Sequence, residues 1–321
     1  MYKLIFLLIF TFLHFQNSFS QKFIEKFYDE NWKEEFSSDG ARFYSITTKT
    51  DSGWYTSDYF LTINKLQMLG LYEDAENKIK NGTFYWFFPD GKVKAIGKYD
   101  NNLKVGTWLD YYRNGSLQDS LNYNNGNLKG ISLSWYLDGS AKDSFNINEK
   151  GSGVYVSWFD NGQPSSAGRY VGFINQHGRW NYYHKNGNIS AAELYDNGIL
   201  KEKQYFDVNG TLADTTFHDA KAEFPGGNKG WSKYLSRELY FPGNLYFKNS
   251  YTAGIVVTGT INEDGKVIDA EVSVPLHPEF DKIALNAVKK SPKWIPAISH
   301  NRRVYSHFTQ LVKFNQETFY H

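Results

Sequence analysis

The chain has 321 residues, with 35 basic and 34 acidic side chains, a formal net charge of +1 and no cysteine. Balanced charge without a dense run of Lys or Arg argues against nucleic acid as a partner. The missing cysteines exclude disulfides, thiolate chemistry and a lipid-modified N-terminal cysteine.

Residues 1–20 read MYKLIFLLIFTFLHFQNSFS, with an early Lys3, an apolar run from Leu4 to Leu13 and small residues in Ser18-Phe19-Ser20 ahead of Gln21. This is the build of a secretory signal peptide cleaved after Ser20. The apolar run falls short of the roughly 20 residues that span a bilayer. In residues 21–81, the runs Phe27 to Trp32, Ala41 to Tyr44, Tyr59 to Thr62 and Lys65 to Tyr72 read as strands with polar turns between them. They form an N-terminal β cap that shields the end of a sheet from edge pairing.

From residue 82 to about 220 the chain repeats. Turn glycines fall at Gly91, Gly115, Gly139, Gly162, Gly187 and Gly210, in steps of 24, 24, 23, 25 and 23 residues. Four residues before each stands an aromatic: Phe87, Tyr111, Trp135, Trp158, Tyr183 and Phe206. Eight residues after come Tyr99, Tyr123, Ile147, Tyr170, Tyr195 and His218. Asp-Gly or Asn-Gly between aromatic and β-branched runs predicts a β-hairpin closed by a type I′ turn, with positive φ at both central residues. A lone hairpin cannot bury its apolar face, whereas stacked hairpins can. The aromatic rows therefore read as the core of a thin sheet, each buried ring contributing about 1.5–3 kcal/mol, rather than as a stacking platform for sugars or bases.

The pattern G-x-W-x-x-Y-Y-x-N-G, present at Gly106 to Gly115 and again as GRWNYYHKNG at Gly178 to Gly187, resembles the MORN repeat in its bacterial YwqK-type antitoxin variant. The resemblance covers about residues 82–218. Trp108 and Trp180 are replaced in other copies by Phe84, Ser132 and Tyr155, and the sixth copy opens on Lys201 instead of glycine.

Six of the eight prolines lie between Pro225 and Pro296, and this shift in composition sets a boundary near residue 220. The run beyond it predicts a helix from Trp231 to Leu239, a hairpin of Gly254 to Ile261 and Val267 to Val274 around Glu263-Asp264-Gly265, a helix from Pro278 to Ser291 and a last strand from Tyr305 to Phe314. Phe280, Ile283, Ala284, Ala287 and Val288 share one face of the second helix. With FPGG ahead, GIVVTGTINEDGKV in the hairpin, FDKIALNAV in the helix and SPKWIPA behind it, residues 221–321 resemble the TonB C-terminal domain. The resemblance implies two helices on a three-stranded antiparallel sheet, in the periplasm or cell envelope of a Gram-negative-type bacterium. It also implies a partner: a peptide segment of an outer-membrane protein, added as a strand to the sheet edge. Val304, Tyr305, His307, Phe308 and Gln310 are then the residues near the bound strand. Trp294, between Pro292 and Pro296, reads as a core plug, and Phe224-Pro225-Gly226-Gly227 as the turn that opens the domain. An energy-transducing TonB keeps a membrane-spanning helix and a long proline-rich stretch. This chain has a leader and hairpins instead, so the binding domain is expected without the energy transduction.

No zinc-binding His-Glu-x-x-His, Gly-x-Ser-x-Gly elbow or phosphate loop is present. His177 and His184 lie seven apart but lack further ligands, and the Asp-Asn-Gly segments at Asp160 and Asp196 are turn chemistry rather than calcium loops. No enzyme activity, cofactor or metal is expected. The fold expected is mainly β: a repeated hairpin sheet followed by a small α+β domain. Two other readings remain open at this point. One is a repeat sheet that binds envelope glycan or lipid, and the other is an energy transducer with an uncleaved leader.

Overall fold

The computed structural model of the chain describes residues 23–213, 219–247 and 252–316. The leader at 1–20, His218 and His321 lie outside these residues. Seventeen strands, from Phe23–Tyr28 to Ile199–Tyr205, belong to one antiparallel sheet. Apart from the short Glu34–Glu35 and Asn127–Leu128, each strand pairs with the next along the chain, and Phe23–Tyr28 pairs directly with Phe43–Thr50. The cap and the repeats are thus one meander.

The turns correct the type I′ expectation. The six repeat glycines have φ between 78° and 92°, while the Asp or Asn before each keeps a negative φ. Gly115 N–H donates to the Tyr112 carbonyl at 2.8 Å and Tyr112 N–H to the Ser116 carbonyl at 2.9 Å, the geometry of a type I turn followed by a left-handed glycine and a bulge. The Asx residue is there for its side chain: Asn114 Oδ1 accepts from Ser116 N–H at 2.9 Å, and Asp138 Oδ1 from Ser140 N–H at 2.9 Å. Type I′ pairs do occur, at the opposite end of the sheet, in Asn101-Asn102, Asn125-Gly126 and Asn197-Gly198, where both residues have positive φ.

The bulges also decide which aromatics form the core. Strand register shifts at Phe87, Tyr111, Trp135, Trp158 and Tyr183, the residues four before the glycine. Those side chains are only half-buried. The buried rings are instead those of the Gly-x-Trp position, Phe84, Trp108 and Trp180, at 0%, 5% and 1% exposure. Tyr99 meets Phe84 and Trp108 edge-on at 5.1 and 4.9 Å, and Tyr170 meets Trp180 at 4.9 Å, the arrangement that aromatic quadrupoles favour. Each ring lies on a glycine of the neighbouring strand, Phe84 on Gly70, Trp108 on Gly97 and Trp180 on Gly168, where any Cβ would overlap it. In the third copy Ser132 fills the position, and its hydroxyl accepts from Asn122 N–H at 3.0 Å.

The C-terminal part is a three-stranded antiparallel sheet in the order Val267–Val274, Thr252–Ile261, Ser306–Asn315, with the helices Gly227–Glu238 and Pro278–Lys289. Phe280, Ile283, Ala284, Ala287 and Val288 bury the helix face that their spacing predicts, and all but Ala287 share one cluster with Ile255, Val257 and Val312 of the sheet. Trp294 closes this core at 7% exposure, edge-on to Phe224 at 5.4 Å. A short ladder, Ala297–Ser299 with Arg302–Val304, precedes the last strand and was not legible in the sequence.

Candidate functional site

The strand Ser306–Asn315 pairs along its whole length with Thr252–Ile261, from Thr252↔Asn315 to Ile261↔Ser306. It lies at the rim of the sheet, and no further strand pairs with its other side among the described residues. His307, Thr309, Leu311, Lys313 and Asn315 are exposed, whereas Val312 and Phe314 are buried, a period-two alternation.

The five residues expected near a bound strand do not share one environment. Phe308 stacks on Trp294 at 5.8 Å and faces the core. Gln310 is half-buried opposite Val257. His307 Nδ1 is 3.0 Å from Thr260 Oγ1, and partial desolvation on that side of the ring together with Lys142 of the repeat sheet lowers its pKa, although the residue as a whole is exposed. Val304 belongs to the short ladder with Ala297, outside the rim strand. Tyr305 is committed to the repeats: its hydroxyl donates to Asp160 Oδ2 at 2.9 Å and its ring meets Tyr136 at 5.7 Å.

Tyr305 is one of a line of contacts that seats the C-terminal sheet on the aromatic side of the hairpin sheet. At the cap end Phe43, Phe60 and Val274 share one buried cluster. Arg42, 5% exposed, donates to the Gly254 carbonyl at 2.6 Å and to the Pro275 carbonyl. Burial lowers the Arg42 pKa. At the far end Arg302 donates to Ser165 Oγ at 2.7 Å and to the Tyr183 carbonyl at 2.9 Å, with its guanidinium 5.2 Å above Phe159. Burial brings the Arg302 pKa down to about 10. Asn301 Nδ2 reaches the Phe206 carbonyl at 2.8 Å. Between them Lys185 bridges Asp160 at 2.6 Å and Glu263 at 3.7 Å. Burial opposes ionisation of Asp160, but hydrogen bonds from Lys185 and Tyr305 hold its pKa below the usual value.

These contacts use a row that sequence reasoning passed over, the residues three before each turn glycine: Phe88, Tyr112, Tyr136, Phe159, His184 and Asp207. Tyr112 and Tyr136 donate their hydroxyls to the carbonyls of Trp135 and Trp158, each at 2.9 Å, and His184 Nε2 lies 2.9 Å from the Phe206 carbonyl. The row stitches hairpin to hairpin while presenting Tyr136 and Phe159 to the C-terminal sheet. The signal was the second aromatic of the Tyr-Tyr pair, hidden because it varies to Phe, His and Asp.

Near the cap end the two sheets leave a cleft. One cavity of about 280 Å³ is walled by Trp86, Phe88, Tyr99 and Trp108, with Gln67, Lys94 and Asp110 from the hairpin sheet and Glu271 and Ser273 from the C-terminal sheet. An adjoining cavity of about 230 Å³ shares Gln67 and Trp86 with it and holds Asp58 and Lys80. Burial pushes Asp58 up to about 6 and also raises Asp110 and Glu271.

Among the described residues no group of three or more His, Asp or Glu is placed to hold a metal ion, and no helix is long and apolar enough to cross a membrane. His177 and His184 have separate partners: His177 lies 3.7 Å from Asp196, and His184 bonds the Phe206 carbonyl.

Comparison with known families gives two matches. The family of the Gram-negative bacterial TonB protein C-terminal matches residues 248–316, and the MORN repeat variant matches residues 80–101, 104–125 and 176–197. The chain therefore carries a TonB-type C-terminal domain and MORN-variant repeats, both of non-enzymatic kinds. No curated protein matches it. Among solved structures, a GtfA/B complex bound to UDP and GlcNAc is similar at 10% identity and a TM-score of 0.18, over 38% of this chain and 23% of that one. Accessory secretory protein 1,2 and 3 of Streptococcus pneumoniae is similar at 12% identity and a TM-score of 0.13, over 40% and 19%. The chain spans less than a quarter of either, and at these scores neither likeness carries an argument.

Proposed function

We propose that this is a non-catalytic binding protein of the Gram-negative cell envelope. Its C-terminal domain, from about residue 221, takes an extended peptide segment of an outer-membrane protein onto the unpaired side of Ser306–Asn315, and the repeats hold that domain in place. The observation that carries the reading is the rim strand itself: ten residues paired on one side only among the described residues, in a domain matched by the TonB C-terminal family. Alternate N–H and C=O groups on the open side supply affinity, and the exposed side chains at Thr309, Leu311 and Lys313 supply selectivity. Export through the leader at 1–20 puts the chain in the compartment where such a segment is found.

Site-directed photo-crosslinking tests this on the intact chain in envelope preparations. With the photoreactive residue at Thr309, Leu311 or Lys313, adducts to one outer-membrane protein are expected, and the crosslinked residues on that protein should advance in steps of two. Adducts from a probe at the repeat residue Ile174, with none from the rim strand, would place the binding surface on the hairpins instead.

A further inference from the structure

We infer that the cleft between the two sheets is a binding site for a neutral sugar, built from Gln67, Trp86, Asp110 and Glu271. This goes beyond strand addition at the opposite rim of the C-terminal sheet.

The walls choose the ligand by elimination. Trp86 and Trp108 face the cavity with ring centroids 5.6 Å apart and Phe88 closes one side, so the occupant has an apolar face. Gln67 Oε1 is buried and has no hydrogen-bond partner. The Asp110 and Glu271 carboxylates, both half-buried, line the same cavity, and burial raises their pKa values against the opposing charge of Lys94. A buried acceptor without a donor is costly, and Gln67 Oε1 in that state beside two half-buried carboxylates calls for a ligand rich in donors. An organic cation would also satisfy acceptors and aromatic walls. The protein's own ammonium groups already hold those positions, Lys94 at 5.7 Å from the Phe88 ring and Lys80 at 5.0 Å from the Tyr99 ring, and they repel a further cation. An anion is turned away by Asp110 and Glu271. A neutral pyranose meets the remaining requirements, with C–H groups on one ring face and hydroxyl donors around its edge. The two adjoining cavities, about 280 and 230 Å³, together fall in the range of small-ligand pockets.

Because Glu271 belongs to the C-terminal sheet and the other three residues to the hairpin sheet, the site exists only while the two are seated together. Saturation-transfer NMR on the full chain tests the proposal with four probes: methyl β-glucopyranoside, N,N′-diacetylchitobiose, glucuronate and choline. Transfer to at least one of the two neutral sugars is expected, with none to glucuronate or choline. Trp86→Ala should abolish the transfer. Asp110→Asn and Glu271→Gln should each weaken binding about tenfold with unchanged near-UV circular dichroism. The proposal is overturned if neither sugar shows transfer, if choline or glucuronate binds instead, or if sugar binding is indifferent to both Trp86→Ala and Glu271→Gln.

Discussion

His300 lies flat on Tyr182, ring centroids 3.5 Å apart with 17° between the planes. Tyr182 belongs to the hairpin sheet and His300 to the turn of the short ladder Ala297–Ser299 with Arg302–Val304, and the stack sits within the contacts that seat the C-terminal part on the hairpins. Burial brings the His300 pKa down to about 4, so the imidazole is neutral at pH 7 and Glu193 stands 3.4 Å from its Nε2. The folded pKa lies below the ordinary 6.5, so this group's contribution is complete above pH 6.5 and is lost as pH falls toward 4. The loss is at most about 3 kcal/mol. His300→Phe keeps the stack without the proton, and denaturant titrations between pH 7 and pH 4 should show a shallower decline than in the parent chain.

Asp58 works in the opposite direction. The residue is 6% exposed, and its carboxyl accepts from Ser45 Oγ and has its pKa pushed by burial up to about 6 from 3.8. A raised folded pKa gives stability that is present below pH 3.8 and lost as pH rises through 6. Asp58→Asn should therefore be more stable than the parent at pH 8, by up to about 3 kcal/mol, with the difference vanishing near pH 4. Equal stability of the two chains at pH 8 would show that the buried carboxylate is compensated.

Gly168 lies beneath the Trp180 ring, and a Cβ there would overlap the indole. Gly168→Ala should lower stability by about 2–3 kcal/mol through forced displacement of the ring. The double variant with Trp180→Ala should cost less than the sum of the two singles, since the clash disappears with the ring. Strict additivity in the denaturant cycle would contradict the stacking.

Arg42 and Arg302 hold the ends of the contact between the sheets. Arg42→Ala removes the side-chain donor to the Gly254 carbonyl, leaves the Pro275 carbonyl to Thr62 Oγ1 alone, and should cost about 2–3 kcal/mol. Arg302→Lys should lose nearly as much as Arg302→Ala, because an ammonium cannot reach Ser165 and the Tyr183 carbonyl while lying over Phe159. Limited proteolysis of the stretch before Gly227 reads the loosening directly.

What the sequence made legible, and what it hid, follows from the range of the interactions. The repeat period and the apolar face of Pro278–Lys289 are local patterns, and both the hairpin meander and the buried face of that helix follow them. The turn type was misread because Asn-Gly serves two geometries: in Asn125-Gly126 both residues take positive φ, whereas in Asn114-Gly115 only the glycine does and the Asn side chain caps the turn. The bulge this creates moved the core from the aromatics four before the glycine to Phe84, Trp108 and Trp180. The seating of Tyr305 on Asp160, separated by 145 residues, had no local signature. Nor did the cleft formed where Glu271 approaches Trp86.

Residue-resolved amide exchange on the full chain, with and without the outer-membrane segment identified by crosslinking, tests the central claim most directly. Strand addition predicts added protection at every second amide between Ser306 and Asn315, whose outward N–H groups gain partners, with Val256–Ile261 unchanged because that stretch is already paired on both sides. Protection confined to the hairpin strands, with the rim strand exchanging as before, would contradict it.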